Sequence, residues 1–203
     1  ITHPVSCLIL DMGLGKTVIT LTALWLLLFD YFEVRRVLVI APKRVAETTW
    51  PAEIKKWEHL YGMTFAVAMG TAVQRKEALL SGADVTIIGR DNVSWMTKNM
   101  FFDFDMVIID ELSSFKSPKA QRFKDLKKVR PMAKRVVGLT GTPGNLMDLW
   151  AEIWGRGLED SSVDTVTGSL SRISVTGRSS FPTSRGKVRK KKYMSLSPIS
   201  AFP

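Results

Sequence analysis

The chain has little of what several protein classes require. One cysteine in 203 residues excludes a disulfide framework and any cysteine-rich zinc site. The two histidines, His3 and His59, are too far apart in sequence to show a metal-ligand spacing. A reducing, intracellular setting is expected. No long hydrophobic run is present. The greasiest, residues 18–29, is twelve residues long and carries two threonines, so it reads as a buried helix and not a bilayer span. The opening Ile1-Thr2-His3-Pro4 lacks an initiator Met and has no charged region ahead of an apolar one. No leader peptide is expected, and the chain is expected to start partway into a longer protein. Acidic residues are outnumbered, 19 against 29 basic, for a net charge of +10. That balance favours an anionic partner such as nucleic acid and is silent about fold. Hydrophobic residues at 45% and charged residues at 24% suit a globular core.

The composition changes near residue 155. All six tryptophans precede it, at 25, 50, 57, 95, 150 and 154. Residues 155–203 hold eleven serines, four threonines and a basic cluster from Arg185 to Lys192. Such a segment buries too little apolar surface to offset its ordering entropy. It is expected to be a low-complexity basic tail, disordered or read in a shifted frame, following a domain over 1–154.

Residues 1–154 alternate short apolar runs with helical patterns. Strands are predicted over 5–10, 36–41, 65–68, 84–89, 106–109 and 135–139. Helices are predicted over 16–29, 45–59, 72–80, after Asp91, over 119–129 and over 146–154. The strands are unbroken Val/Ile/Leu runs, as in parallel strands covered on both faces. Strand–helix alternation then predicts an α/β domain, a mostly parallel sheet with helices on both faces.

Three short stretches carry chemistry. Asp11-Met12-Gly13-Leu14-Gly15-Lys16-Thr17 follows a predicted strand and opens a predicted helix, the context of a phosphate-binding loop. Gly13 and Gly15 allow a tight turn whose N–H groups approach an anion, with Leu14 between them. A helix starting at Lys16 adds its N-terminal partial positive charge. Lys16 would reach the β- and γ-phosphates, and Thr17 would ligate Mg²⁺. Leu10 stands where the full pattern has a further Gly, so a Gly-rich turn that binds nothing is the alternative. Met106-Val107-Ile108-Ile109-Asp110-Glu111 is an apolar strand ending in two carboxylates. Ligands of parallel sheets sit at the strands' carboxyl ends. Asp110 would hold the metal and Glu111 the attacking water; helix capping is the plainer alternative. Leu139-Thr140-Gly141-Thr142-Pro143 also follows a strand, and its hydroxyls could sense a γ-phosphate; an ordinary turn is the alternative.

These pieces, in this order, resemble the first motor domain of superfamily-two helicases, and within it the Swi/Snf-like branch with its phage and prophage members. The resemblance spans about residues 5–154. Residues 11–17 resemble motif I and 110–113 motif II. Residues 39–44 are similar to motif Ia, 87–92 to motif Ib and 139–143 to motif III. The resemblance implies a RecA-like domain that binds ATP with Mg²⁺ and couples hydrolysis to movement along nucleic acid, usually double-stranded DNA. It implies Gly13, Leu14, Gly15, Lys16 and Thr17 at the nucleotide, with Lys16, Asp110 and Glu111 in catalysis. Thr17 and Asp110 would hold Mg²⁺, and Thr140 and Thr142 would couple hydrolysis to movement. Pro42, Lys43, Arg44, Arg90 and Asn92 would lie along DNA. A phosphate contact by Lys43 and Arg44 also follows from their place at a predicted helix start, where free N–H groups add to the charge.

Three departures accompany the resemblance. No glutamine stands upstream of the loop, Pro143-Gly144-Asn145 is shorter than the family spacing, and nothing after 155 resembles a second motor domain. That second domain supplies arginine fingers worth about 10³–10⁵ in rate. Truncation or a frameshift is therefore expected, and turnover by this chain alone is expected to be slow. Two other functions fit the residues: a non-catalytic nucleic-acid-binding or protein-interaction fragment, and a restriction-enzyme translocase subunit. The basic stretch 116–135 places its charges on no single helical face and reads as solvated surface. The tryptophans read as packing.

Overall fold

The computed structural model describes residues 4–115 and 120–141, together with the backbone of two short strands at 163–167 and 172–175. Six strands form a parallel sheet: β1 Val5–Ile9, β2 Val37–Ala41, β3 Phe65–Ala68, β4 Val85–Gly89, β5 Met106–Ile109 and β6 Arg135–Thr140. Their spatial order is β3-β4-β2-β5-β6-β1. Beyond β1 lie β7 Val163–Thr167, parallel to it, and β8 Arg172–Val175, antiparallel to β7. These two strands fall inside the segment expected as a tail. The basic cluster at 185–192 and the helix expected at 146–154 lie outside the described residues.

β2 and β5 are apolar on every residue, and β4 on all but Thr86, because both faces are covered. Alternate side chains nevertheless enter different cores. Val37, Val39, Val85, Ile87, Met106 and Ile108 point to one side. There they meet Leu21 and Leu24 of helix α1 (Lys16–Trp25) and Trp50 and Ile54 of α2 (Trp50–Lys56). Leu38, Ile40, Ile88, Val107 and Ile109 point to the other. Their partners are Leu79 of α3 (Ala72–Leu80), Val93 and Met96 of α4 (Val93–Asn99), and Phe123, Leu126 and Val129 of α5 (Gln121–Val129). Full burial of each such side chain contributes about 1.5–3 kcal/mol.

Helix ends follow local chemistry. At α3 the Thr71 hydroxyl accepts from the Gln74 amide at 3.3 Å, and the Gln74 side chain accepts from the Thr71 N–H at 2.9 Å. This reciprocal cap satisfies two N–H groups the helix leaves free. The helix expected over 45–59 is broken up. A π-helical turn over Val45–Thr49 precedes α2, and a 3₁₀ turn Glu58–Leu60 follows it. Pro51 accounts for the wide turn: it has no N–H to give residue 47, and its ring crowds that carbonyl. The helix expected over 16–29 likewise ends in a π-helical turn, Leu26–Asp30.

The sheet's N-terminal edge is pinned by Asp105. Its carboxylate accepts from the Arg35 N–H at 3.0 Å and pairs with Lys134 at 2.8 Å. Within the basic stretch, Lys124, Lys127 and Lys128 are exposed on α5. Arg135, on β6, donates to Glu33. Lys116 and Lys119 lie outside the described residues. Among the described residues no helix is long and apolar enough to cross a membrane.

Candidate nucleotide site and nucleic-acid edge

The site forms where β1, β6, β5 and β2 end. Past β1 the Leu10 N–H still donates to the Thr140 carbonyl at 3.1 Å, so the chain leaves the sheet alongside β6. It then turns through Gly13 at φ 83° and Gly15 at φ 75°, left-handed conformations that glycine adopts without penalty. A Cβ at Gly15 would also press on Val18 Cγ1 at 3.2 Å. Gly15 caps α1 but brings no side chain, and the first turn of α1 has no acidic residue. The positive end of the helix therefore faces outward without a side-chain partner, which is what an anion site requires.

The Lys16 ammonium donates to the Leu10 carbonyl at 2.7 Å and to the Asp11 carbonyl at 3.0 Å, holding the loop around itself. Thr17, half-buried, is the second residue of α1. Gly141 abuts the loop from β6. A Cβ there would lie 3.4 Å from the Leu10 carbonyl oxygen and 3.7 Å from the Lys16 ammonium. These are ordinary van der Waals distances, so the loop and Lys16 pack directly against Gly141, a neighbour the sequence reading did not assign to the site.

Asp110 leaves β5 with its N–H donating to the Ile40 carbonyl of β2 at 2.8 Å. Its carboxylate takes two internal donors: the buried Trp50 indole on one oxygen and the Glu111 N–H on the other, each at 2.9 Å. Burial pushes the Asp110 carboxyl above its ordinary value. The two hydrogen bonds oppose this, the Glu111 charge adds to it, and the Lys16 ammonium counters it. β6 alone separates β1, which leads into the Lys16 loop, from β5, which leads into Asp110. Glu111 sits at φ 55°, a left-handed conformation that is uncommon outside glycine. Its carboxylate accepts from the Ser113 hydroxyl. Thr140 ends β6 between the two groups and is buried. Thr142 lies outside the described residues.

The neighbouring part of the same edge carries the other candidates. Half-buried Pro42 and exposed Lys43 and Arg44 follow β2; half-buried Arg90 and Asn92 form the turn after β4. These two strands are adjacent. Arg90 has its Nε buried with no hydrogen-bond partner among the described residues. Asn92 is engaged internally. Its carbonyl oxygen accepts from Arg75 at 2.7 Å, and the Arg75 guanidinium lies 4.3 Å from the Trp95 ring centroid. The structure therefore gathers loop 11–17, Thr140, Asp110 and Glu111 at β1–β6–β5, and places Pro42, Lys43, Arg44, Arg90 and Asn92 beside them at β2–β4. Trp50, which reaches Asp110 across 60 positions of sequence, was read only as packing.

A parallel sheet with a glycine-rich loop capping the helix after its first strand, and an acidic pair two strands away, defines the RecA-like class of phosphate-loop domains. Within that class the chain belongs to the SNF2-related domain family, whose model matches residues 3–154. It is 39% identical over 155 residues to the protein p41 of Acyrthosiphon pisum secondary endosymbiont phage 1, covering 70% of this chain and 33% of that protein. It is 33% identical over 157 residues to the SNF2 domain-containing protein ENL1 of rice (Oryza sativa subsp. japonica), covering 70% of this chain and 16% of that one. The Sulfolobus solfataricus SWI2/SNF2 ATPase core in complex with dsDNA superposes with a TM-score of 0.63 at 30% identity, over 76% of this chain and 32% of that chain. The chain thus spans a third or less of the length of each of these relatives.

Proposed function

We propose that the chain is the ATP-binding motor domain of a DNA-dependent ATPase, a helicase-like translocase acting on double-stranded DNA. One observation carries this reading. The uncapped start of α1, the Lys16 ammonium and the Asp110 carboxylate share one sheet edge, with only β6 between the strands that carry them.

The donor set fits Mg²⁺. Among the described residues no group of three or more His, Cys, Asp or Glu side chains could hold an ion unaided. Mg²⁺ is commonly held by one or two protein oxygens together with substrate phosphates and water. The Thr17 hydroxyl and the Asp110 carboxylate supply such hard oxygens. When bound, Mg²⁺ neutralises charge that develops on the β- and γ-phosphates. The loop N–H groups and the α1 N-terminus bind the phosphates, and Lys16 exchanges its loop carbonyls for β- and γ-oxygens. Glu111, held by Ser113, orients the attacking water and accepts its proton. Thr140, at the end of β6 between the loop's strand and the acidic strand, transmits the state of the γ-phosphate, with Thr142 as its companion. Lys43, Arg44 and Arg90 offer cationic donors to DNA phosphates, and Pro42 and Asn92 shape the two turns that present them.

The test is nucleotide binding. Lys16→Ala should abolish ATP affinity measured by titration with a fluorescent ATP analogue, without loss of folding by circular dichroism. Wild-type affinity in that variant would remove the nucleotide site from the reading.

A further inference from the structure

Trp50 stands between the two parts of the edge. It opens α2 on the chain that leaves the Lys43–Arg44 turn, and its ring is fully buried. Its indole N–H donates to the Asp110 oxygen opposite the one held by the Glu111 amide. Both oxygens are therefore oriented by donors, and one of those donors is mounted on the helix that starts at the basic turn.

A line of hydrogen bonds runs between the two. The Ala46 N–H donates to the Pro42 carbonyl at 2.9 Å, and the Thr48 hydroxyl to the Arg44 carbonyl at 2.7 Å. The Trp50 N–H donates five residues back, to the Val45 carbonyl. The last is the π-helical bond that Pro51 imposes. A π turn holds one residue more per turn than an α turn, so it sits near an alternative winding that would rotate every later side chain. Coupling through a contiguous network needs a two-state element, and the π-helical turn at 45–49 lies between the basic turn and the indole, where such an element would act.

Taking the nucleotide and DNA reading above as given, we infer that Trp50 is a positioning residue. It ties the DNA-facing turn at Lys43–Arg44 to the metal-facing carboxylate of Asp110. A duplex seated on the turn changes the winding of 45–49 and, through the indole, the orientation of Asp110. Outer partners of ligating carboxylates carry large effects, about 10–100-fold in metal affinity when removed. A buried indole N–H needs some acceptor in any case. A carbonyl would satisfy it equally well, whereas this one is spent on a carboxylate that already has a role.

The experiment uses the whole 203-residue chain. Indole N–H resonances are recorded by ¹H–¹⁵N NMR, and that of Trp50 is assigned by its disappearance in Trp50→Phe. It should shift in Asp110→Asn and again on adding a duplex oligonucleotide to the wild type. Trp50→Phe keeps a buried ring and removes only the donor. It should weaken the Mg²⁺ dependence of binding a non-hydrolysable ATP analogue by about 10–100-fold. Binding of the analogue in excess EDTA should not change, and the duplex should no longer alter the Mg²⁺ dependence. Pro51→Ala, which permits regular α winding, should weaken that dependence in the same direction.

Wild-type Mg²⁺ dependence in Trp50→Phe, alongside lost nucleotide binding in Lys16→Ala, overturns the Trp50 link and leaves the nucleotide site standing. Unchanged binding in Lys16→Ala overturns both. Should Trp50→Phe fail to fold, the wild-type spectrum decides, with the Trp50 indole assigned as the resonance that shifts in Asp110→Asn: if it ignores the duplex, the link is overturned.

Discussion

Glu111 occupies a left-handed conformation at φ 55° at the point where β5 gives way to the 3₁₀ turn Leu112–Phe115. For a residue with a Cβ this costs roughly 1–2 kcal/mol. Such strain persists at functional positions because the surroundings dictate the geometry. Here the Asp110 N–H is tied to β2, the Ser114 N–H donates to the Glu111 carbonyl at 2.9 Å, and Leu112 and Phe115 are buried. Two substitutions separate backbone strain from side-chain contact. Glu111→Ala and Glu111→Gly both lose the Ser113 hydrogen bond. Only glycine relieves the φ, against an unfolded-chain entropy term of about 0.4–1 kcal/mol. The glycine variant should therefore be the more stable of the two, by about 0.5–1 kcal/mol. That reverses the usual order inside regular elements, where Ala exceeds Gly. A chain of this size shifts by about 2–4 °C per kcal/mol, so thermal unfolding followed by circular dichroism should place the glycine variant about 1–4 °C above the alanine one. Both should lack ATP hydrolysis. An alanine variant melting at or above the glycine variant would refute the strain argument.

Two further expectations concern stability. Asp125 is fully buried between α4 and α5, where it accepts from Ser94 and from Gln121 at 3.0 and 3.1 Å, while its ion partner Lys128 is largely exposed. Asp125→Ala should cost about 2–3 kcal/mol, mainly from the polar groups left unpaired and little from the exposed Lys128; a denaturant midpoint equal to wild type would contradict this. Burial alone would raise the Asp105 and Asp125 carboxyls. Lys134 and Arg35 around Asp105, and Ser94, Gln121 and Lys128 around Asp125, outweigh it and hold both below the ordinary value. A lowered native pKa contributes stability above the unfolded value near 4, and that contribution is lost as pH falls through the native one. Melting temperature should therefore fall below about pH 4, and the drop from pH 7 to pH 3 should be smaller in Asp105→Asn. An equal drop in that variant would remove Asp105 from the account.

The strands were legible because a strand covered on both faces is apolar almost throughout: Val37–Ala41 and Met106–Ile109 are wholly so, and Val85–Gly89 apart from Thr86. Helix α3 was legible from its alternation and has a local cap at Thr71. The windings at 26–30 and 45–49 were missed, although Pro51 marks the second; the 3.6-residue pattern of apolar side chains does not report which carbonyl each N–H reaches. The turn at 11–17 and the helix after it were legible because its glycines and the helix start are neighbours in sequence. Trp50 was not, since its importance arises from the Asp110 carboxylate it reaches, and that partner lies 60 positions along the chain.

Local chemistry therefore specified which segments pair or coil and where the loop must turn left-handed. The order of strands, the convergence of Lys16, Thr140 and Asp110 on one edge, the φ of Glu111 and the indole on Asp110 were decided only in three dimensions. Each depends on contacts between residues tens of positions apart, whose adjacency is set by packing two helical layers against one twisted sheet and by nothing within any single segment.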